Sequence, residues 1–433
     1  MSVAVLACTD RPALLPDDSD AIGIAALCEF PEQLAHRIDD AERVVLLLHE
    51  SRYGLAEVQK VLRSVDIDPL GVEILEIPTD TEEFDVGRAL AGLRARAAAF
   101  TGSQPEHAKP VLRGEVTRRG LFQPPQPVYL AAPLVDHGVC AAADGCRACA
   151  TACPQDAYRW HQGRIHFNKD MCEPCGRCVA ACPTEAISNP VVAPNMIAAQ
   201  TAALVSDNET SVGLRFVCSR ARQVPQQPGW QGISVPCTGM VPGSWLITAV
   251  LMGASAVTIA TCSTTGCELG HDEQGAAAID FARSALEAAG LDPSPVPITP
   301  GDDQLQPPIA KLEFDAPFTR HGDVEVMLAL NAQSEGELDF AHAASSLGVV
   351  SINAEACTLC AQCAQTCPTG AITADYEGET VALSFAAASC TNCNQCTIAC
   401  PEIERDAIRV DGRVAAALLT SERFTITEGA VLV

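Results

Sequence analysis

The sequence predicts a multidomain α/β plus α+β protein, with small parallel-sheet α/β domains combined with two compact cysteine-rich modules. Sixteen of its 22 cysteines fall into four tight groups, and the groups occur in two pairs. Continuous apolar runs, which are typical of buried parallel strands, occur near the N-terminus and in the centre. A length of 433 residues is enough for roughly two to four domains.

Residues 1–110 predict a small α/β domain. Its strands are expected at the apolar runs "VAVLAC", "RVVLLLH" and "GVEILEI". Between the second and third runs, apolar residues at helical spacing predict a helix whose buried face is formed by Leu55, Val58, Val61, Leu62 and Val65. A last helix is expected from about residue 82 to residue 100. Cys8 and Cys28 are interpreted as buried thiols and not as ligands, because free cysteine is commonly buried.

The segment "LLLHESRYGLAEVQKVLRSVDIDPLGVEILEI", together with Cys8 after the first strand, resembles the N-terminal domain of the flavin-bearing subunit of heterodisulfide reductases. Residues 111–135, which include the run "FQPPQP", predict a Pro-rich linker. We expect cysteine-rich modules at 136–190 and 347–412, an α/β domain at 191–346 between them, and a C-terminal tail at 413–433.

The spacing of the four cysteine groups is typical of iron–sulfur ligands. Three of the runs follow Cys-x2-Cys-x2-Cys-x3-Cys-Pro, and all four end in Cys-Pro. This pattern resembles the two-cluster bacterial ferredoxins, in which the last cysteine of one run ligates the cluster of the other. The resemblance implies two 2[4Fe-4S] modules with four ligand sets, which we name site A (Cys153, Cys172, Cys175, Cys178), site B (Cys140, Cys146, Cys149, Cys182), site C (Cys367, Cys390, Cys393, Cys396) and site D (Cys357, Cys360, Cys363, Cys400).

Two runs depart from the usual pattern. Five residues separate Cys140 from Cys146, so Cys140 is the ligand that the spacing supports least. The last run continues as "CPEIERDAI", which predicts a small insertion after Cys400. The run "GRIHFNKDMC" predicts a short hairpin between the halves of the first module. Structural zinc sites usually have two separated Cys-x2-Cys pairs, and a disulfide framework is typical of short secreted chains, so neither alternative suits these groups.

The central domain, 191–346, has strand signals at "LRFVCS", "GISVPC" and "SAVTIATC" and a helix that contains Trp245, Leu246, Ala249 and Val250. Each of the three strands ends at a cysteine. Parallel strands with right-handed crossovers bring their carboxyl ends to one edge of a sheet, where sites in α/β proteins form. We therefore expect four thiols to converge there, and name them the central site (Cys218, Cys237, Cys262, Cys267).

The central block is similar to the delta subunit of methyl-viologen-reducing hydrogenases. The matching features are Cys218 after Phe216, the runs "VPCTGMVP" and "GASAVTIATC", and the closing pair Cys262 and Cys267. The resemblance implies that these four cysteines hold a [2Fe-2S] cluster, which is also the full ligand count for such a cluster. A zinc ion at this site, or ordinary core thiols without metal, are the alternatives.

The composition excludes some classes of function and partner. The formal net charge is −26, which argues against nucleic acid and suits either partners with basic docking patches or a merely solvated acidic surface. The start "MSVAVLACTDR" lacks the basic region of a signal peptide. Prolines and glycines interrupt the charge-free stretch 223–267, so no transmembrane helix is expected. The many cysteines predict a reducing, cytoplasmic location.

These observations predict an electron-transfer subunit of a cytoplasmic multi-subunit oxidoreductase with four [4Fe-4S] clusters and one [2Fe-2S] cluster. By resemblance, its partners are hydrogenase, formate dehydrogenase or heterodisulfide-reductase-like subunits, one of them carrying flavin, and electron bifurcation is an open option. No Gly-x-Gly-x-x-Gly follows a strand, so no flavin or nicotinamide site is expected in this chain. Chain order predicts a linear path with the central domain between the two modules.

Two alternatives stay open. In one, the chain is a catalyst in which Cys262 and Cys267 form a redox-active pair and His271 donates a proton. His271 is otherwise expected at the surface beside Asp272 and Glu273, because a lone histidine is weak evidence for a site. In the other, the chain is a polyferredoxin that shuttles electrons without a fixed complex.

Overall fold

The computed structural model describes residues 2–9, 21–38, 41–49, 54–77, 85–103, 107–112, 127–206, 210–220, 227–260, 267, 269, 271–298, 305–315 and 317–430. Cys262 of the central site lies outside these residues, whereas the other 19 predicted ligands lie within them. No helix in these ranges is long and apolar enough to cross a membrane.

The N-terminal domain is a four-stranded parallel sheet with helices beside it, as the apolar runs predict. Its elements are β1 (Val3–Cys8), β2 (Ile22–Ile24), β3 (Arg43–Leu48), α1 (Leu55–Ser64), β4 (Val72–Glu76) and α2 (Val86–Ala99). The sheet order is β2-β1-β3-β4. All six residues of β3 are buried, and α1 buries Val58, Val61 and Leu62, which confirms its predicted apolar face. The last helix begins at Val86, and the first residues predicted for it, 82–84, are outside the described ranges.

The linker predicted for 111–135 was wrong at both of its ends. Strand β5 (Ala108–Leu112) pairs antiparallel with β6 (Pro127–Ala131), and β7 (Leu134–Val135) follows. A strand needs a partner to satisfy its backbone groups, and here the partner lies beyond the Pro-rich run. The local composition therefore showed the prolines but could not show the pairing.

The first cysteine-rich module is built from short elements, namely α3 (Ala148–Ala152), β8 (Tyr158–His161), β9 (Arg164–Phe167), α4 (Arg177–Ala181) and β10 (Ile187–Ser188). Strands β8 and β9 form a hairpin that begins five residues before the predicted run 163–172 and overlaps it at β9. Strand β10 pairs with β7. The two residues of β7, which were predicted to belong to the linker, therefore form part of the sheet structure of this module.

The central domain has the three predicted strands in parallel, in the order β12-β11-β13. Its elements are α5 (Pro194–Leu204), β11 (Gly213–Cys218), β12 (Trp230–Val235), α6 (Gly243–Leu251), β13 (Ala256–Ile259), α7 (Asp272–Ala288) and α8 (Asp323–Gln333). Every residue of α6 is buried, since this charge-free helix packs against both α7 and α8. Helix α5 packs against α2, which joins the central domain to the N-terminal one.

The second module contains β14 (Asp339–Ala341), β15 (Val349–Ile352), α9 (Gln362–Thr366), β16 (Ile372–Glu377), β17 (Thr380–Phe385), α10 (Gln395–Ala399), β18 (Ile408–Asp411), β19 (Arg413–Ala415), α11 (Ala416–Leu419) and β20 (Phe424–Ala430). The prediction of a C-terminal tail at 413–433 was wrong. Strand β20 pairs with β17 and completes a three-stranded sheet, and α11 precedes it as a four-residue helix. One apolar core runs without a break from the central domain into this module.

Candidate metal centres

The four cysteine runs share one local conformation. The third cysteine of each run lies in a five-residue helix, and the fourth caps the end of that helix in an extended conformation. A proline follows, which cannot donate the next backbone hydrogen bond and therefore ends the helix. Three of these helices begin at a left-handed residue, with φ of 80° at Gly176 and 58° at Ala361 and Asn394.

Site B includes Cys140 in spite of the longer spacer before Cys146. The inserted residues form a single 3-10 turn, Ala141–Asp144, which Gly145 ends at a φ of 94°. Burial raises the pKa of Cys149 most and, together with the adjacent thiols of Cys182, Cys146 and Cys140, brings it to about 12. The compact turn thus returns the chain to the site, and Cys140 lies with its three predicted companions.

The thiols of site A also lie together. Burial raises the pKa of Cys172 to about 12, and among its neighbours Lys109 opposes the shift whereas Cys175 and Cys153 add to it. The Tyr158 hydroxyl donates a hydrogen bond to the Cys178 Sγ atom over 3.3 Å. Cys178 has a raised pKa because of burial, and its neighbours include Cys149 of site B. Sites A and B are therefore adjacent within the first module.

Sites C and D repeat this arrangement in the second module. Burial raises the pKa of Cys396, and so do the other three thiols of site C and Cys363 of site D. Burial likewise raises the pKa of Cys363 to about 12, with contributions from Cys357, Cys360 and Cys400. The structure thus brings together each of the four quartets that the cysteine spacing predicts.

The two modules are in direct contact, so the predicted path with the central domain between them was wrong. Burial raises the pKa of Cys146 in site B to about 11, and Cys393 of site C is one of the thiols that add to the shift. The Arg147 backbone N–H donates to the Gln395 side-chain oxygen over 3.0 Å. Chain order could not show this contact, because the residues that form it are about 250 positions apart.

Arg320 connects the two modules at the same contact. This residue was not identified from the sequence. Its guanidinium donates to the carbonyl oxygen of Ala180 in α4 over 3.0 Å and to that of Thr391 in the second module. Its charge also opposes the burial-driven rise in the pKa of Cys390. A single arginine in a loop has no distinguishing spacing, so only the fold could assign this role.

The structure brings Cys218, Cys237 and Cys267 of the central site together. A hydrogen bond with Cys218 raises the pKa of Cys237 most, followed by burial, and Cys267 adds to the shift. The Gly239 backbone N–H donates to the Cys237 Sγ atom over 3.4 Å. These three thiols converge at the carboxyl edge of the parallel sheet, as expected for strand-end residues.

The expected surface position of His271 was wrong. The side chain is buried, and its Nδ1 atom lies 3.3 Å from the Cys237 Sγ atom. Burial lowers the pKa of His271, and the charges of Arg177 and Arg220 lower it further. The imidazole is therefore neutral at neutral pH, which suits a hydrogen-bonding partner of sulfur better than a proton donor.

The central site adjoins site A. Gly176, between Cys175 and Arg177, lies directly against the Met240 side chain, and a Cβ atom at Gly176 would overlap it. Arg220, two residues after Cys218, forms an ion pair with Glu173 over 3.0 Å. The five groups of thiols consequently form one series of neighbours in the order central site, A, B, C and D.

The donor sets suit iron–sulfur clusters. Each of sites A to D offers four thiols, which is the ligand type of a cubane. Burial without a metal favours the protonated thiol, so binding must release protons and supply the positive charge that stabilises buried thiolates.

Comparisons with known families agree with these sites. Residues 143–186 and 356–403 match the 4Fe-4S dicluster domain, and residues 203–301 match the delta subunit of methyl-viologen-reducing hydrogenase. No curated protein matches the chain significantly. Neither family match reaches residues 1–110, so the resemblance of that domain to heterodisulfide reductases stays a prediction. The chain therefore carries two 4Fe-4S dicluster domains that flank a domain of the methyl-viologen-reducing hydrogenase delta-subunit family.

Proposed function

We propose that this chain is the electron-transfer subunit of a cytoplasmic multi-subunit oxidoreductase. Sites A to D hold four [4Fe-4S] clusters, and the central site holds one [2Fe-2S] cluster with Cys262 as its fourth ligand. When bound, such clusters accept and release single electrons. The catalytic partners are hydrogenase, formate dehydrogenase or heterodisulfide-reductase-like subunits, one of which carries flavin, and bifurcation remains an option of that partner.

The observation that carries this proposal is the uninterrupted series of thiol groups from the central site to site D. At every step, either side chains of neighbouring sites are in contact or a thiol of one site raises the pKa of a thiol in the next. The protein's part is to bury the thiols, to fix their spacing and to donate hydrogen bonds to sulfur, which tunes reduction potentials. Such a series serves conduction, since a catalyst or a store of electrons needs no ordered path.

The two ends of the series differ in exposure, which supports different roles. In the central site Cys218 and Cys237 are at most 3% exposed, and Cys267 is half-buried. At site D, Cys360 is exposed, and so are the side chains of Ile398 in α10 and of Glu404 and Asp406 after Cys400. We assign site D as the end at which a partner with a basic docking patch exchanges electrons, because Cys360 is exposed there and the chain has a formal net charge of −26.

Iron analysis and EPR during a dithionite titration of the anaerobically purified chain test the proposal. We expect about 18 irons per chain from the ligand count, with a [2Fe-2S] signal that persists at higher temperature than the cubane signals. Far fewer irons, or zinc in the central site, would contradict the proposed cofactor set.

A thiol-redox catalyst is the second candidate, because His271 contacts Cys237 and a cavity of about 430 Å³ lies beside them. This candidate predicts substrate turnover by the isolated chain with a low-potential donor. Turnover that is lost in Cys262→Ser while the iron content is retained would favour catalysis over conduction. Absence of turnover and of a stable complex would leave the free polyferredoxin.

A further inference from the structure

A further group of potential metal-binding side chains lies in the N-terminal domain, outside the five sites described above. It consists of Cys8, Cys28 and His49, whose Sγ atoms and one imidazole nitrogen all lie within 4.8 Å of one another. Cys8 and Cys28 are 3% and 4% exposed. No iron–sulfur motif includes these residues, and neither family match extends to them.

The topology explains why these three residues meet. Cys8 is the last residue of β1, His49 directly follows β3, and Cys28 lies in the turn after β2. In the sheet order β2-β1-β3-β4, β2 lies on one side of β1, and β3 and β4 lie on the other. The order in which strands are added therefore reverses between β1 and β3, which makes this a topological switch point. Ligands of open α/β sheets bind at the carboxyl edge beside such a switch point.

A backbone N–H group donates a hydrogen bond to each of the two sulfurs. The Cys28 N–H donates to the Cys8 Sγ atom over 3.4 Å, and the His49 N–H donates to the Cys28 Sγ atom over 3.2 Å. Hydrogen bonds of this kind stabilise the charged form of a sulfur ligand. In addition, the His49 Nε2 atom is buried without a hydrogen-bond partner among the described residues, and such an atom needs an explanation in a native structure.

The spacing of the donors separates this cluster from the ferredoxin quartets. With Zn–S near 2.3 Å and Zn–N near 2.0 Å, the donors of a tetrahedral ion lie about 3.5–3.8 Å apart. The trio needs only a small closure to reach that spacing. In the part of the chain that the structure describes, no trio within sites A to D has donor atoms as close as 4.8 Å, consistent with a cubane that spreads its ligands over several irons.

We propose that Cys8, Cys28 and His49 bind a single zinc ion. Two thiolates and an imidazole form a borderline-soft donor set that suits zinc in a tetrahedral site. The ion ties together the carboxyl ends of three adjacent strands. The earlier interpretation of Cys8 and Cys28 as simple buried thiols is replaced by this proposal, because a sequence shows neither the approach of His49 nor the switch point.

Metal analysis and zinc K-edge absorption spectroscopy on the full-length, anaerobically purified chain test the proposal. We expect one zinc per chain with a first shell that contains two sulfurs and at least one imidazole nitrogen. A shell of four sulfurs would place the zinc in a cysteine quartet and overturn the proposal. A chain that contains no zinc after purification from zinc-supplemented medium would also overturn the proposal.

Variants locate the ion independently of that shell. Cys8→Ser and His49→Gln are expected to lower zinc from one to near zero per chain while the iron content is unchanged. His36→Gln changes an exposed histidine of the same domain and should retain zinc. If zinc is instead lost in Cys237→Ser and retained in Cys8→Ser, the ion belongs to the central site and the proposal is wrong. Should a variant also lose iron, the wild-type absorption spectrum alone decides.

Discussion

Among the individual side chains, Tyr158 acts most directly on a proposed cluster. Its hydroxyl is buried and donates to the Cys178 Sγ atom over 3.3 Å. Burial raises the pKa of the Tyr158 phenol, and the adjacent Cys178 raises it further, so the hydroxyl keeps its proton at neutral pH. A permanently protonated donor stabilises the reduced, more negative state of a cluster more than the oxidised state.

The change Tyr158→Phe removes this hydrogen bond and keeps the ring. We expect the reduction potential of the site A cluster to fall by about 40 mV, on the basis of about 1 kcal/mol for one hydrogen bond and a one-electron couple. EPR-monitored redox titration measures the shift. Tyr376→Phe, at an exposed tyrosine of the second module, is the matched control. An unchanged site A potential in Tyr158→Phe with full iron content would show that the hydrogen bond does not tune the cluster.

Among the strands and helices, the sequence predicted the features that a local pattern of residues determines. The strand that ends at Cys8 is a continuous apolar run, the strand that ends at Cys218 is apolar except for Arg215, and the structure confirms both strands. The resemblance to two-cluster ferredoxins grouped the cysteines into quartets whose thiols lie near one another in the structure, and their role as cluster ligands stays a prediction. The buried contact of His271 with Cys237 and the pairing of β20 with β17 depend on residues far apart in the chain. Such contacts leave no local periodicity, so the histidine was expected at the surface and the strand as a tail.

Strand β20 supports site D, although it lies after the last cysteine. It forms the third strand of the module's sheet, and Gly429 lies against the Leu359 side chain, between Cys357 and Cys360. Leu359 itself has a φ of 58°, a strained conformation that persists only when surrounding structure holds it. The final strand therefore helps to hold the loop that presents two thiols of site D.

A chain that ends at Thr420 lacks this strand and tests its role. We expect loss of about four irons per chain, because the unsupported loop binds its cubane weakly. Iron analysis after gel filtration measures the loss. A chain that ends at Ala430 keeps β20 and should retain all its iron. Full iron content in the shorter chain, with a normal site D signal, would mean that the cysteine run alone holds the cluster.

For the whole molecule, the main consequence of the fold is the direct contact of the two modules. Arg320 bonds to a carbonyl oxygen of each module, and Cys393 of site C lies close enough to Cys146 of site B to raise its pKa. The central site is thus at one end of the series and site D at the other. A path of this order lets one chain connect two partners that bind at distant surfaces.

Magnetic coupling between clusters tests this order. Two paramagnetic clusters that are neighbours broaden each other's EPR signals when both are reduced. Cys396→Ser removes a ligand of site C, and we expect it to narrow the EPR signal of the site B cluster. The iron content should fall by no more than about four atoms per chain. Cys363→Ser removes a ligand of site D and should leave the EPR signal of site B broad, because the neighbour of site B is the cluster at site C and not the one at site D. If both variants leave site B unchanged, the modules do not touch in solution, and electrons would have to cross the central domain as chain order suggests.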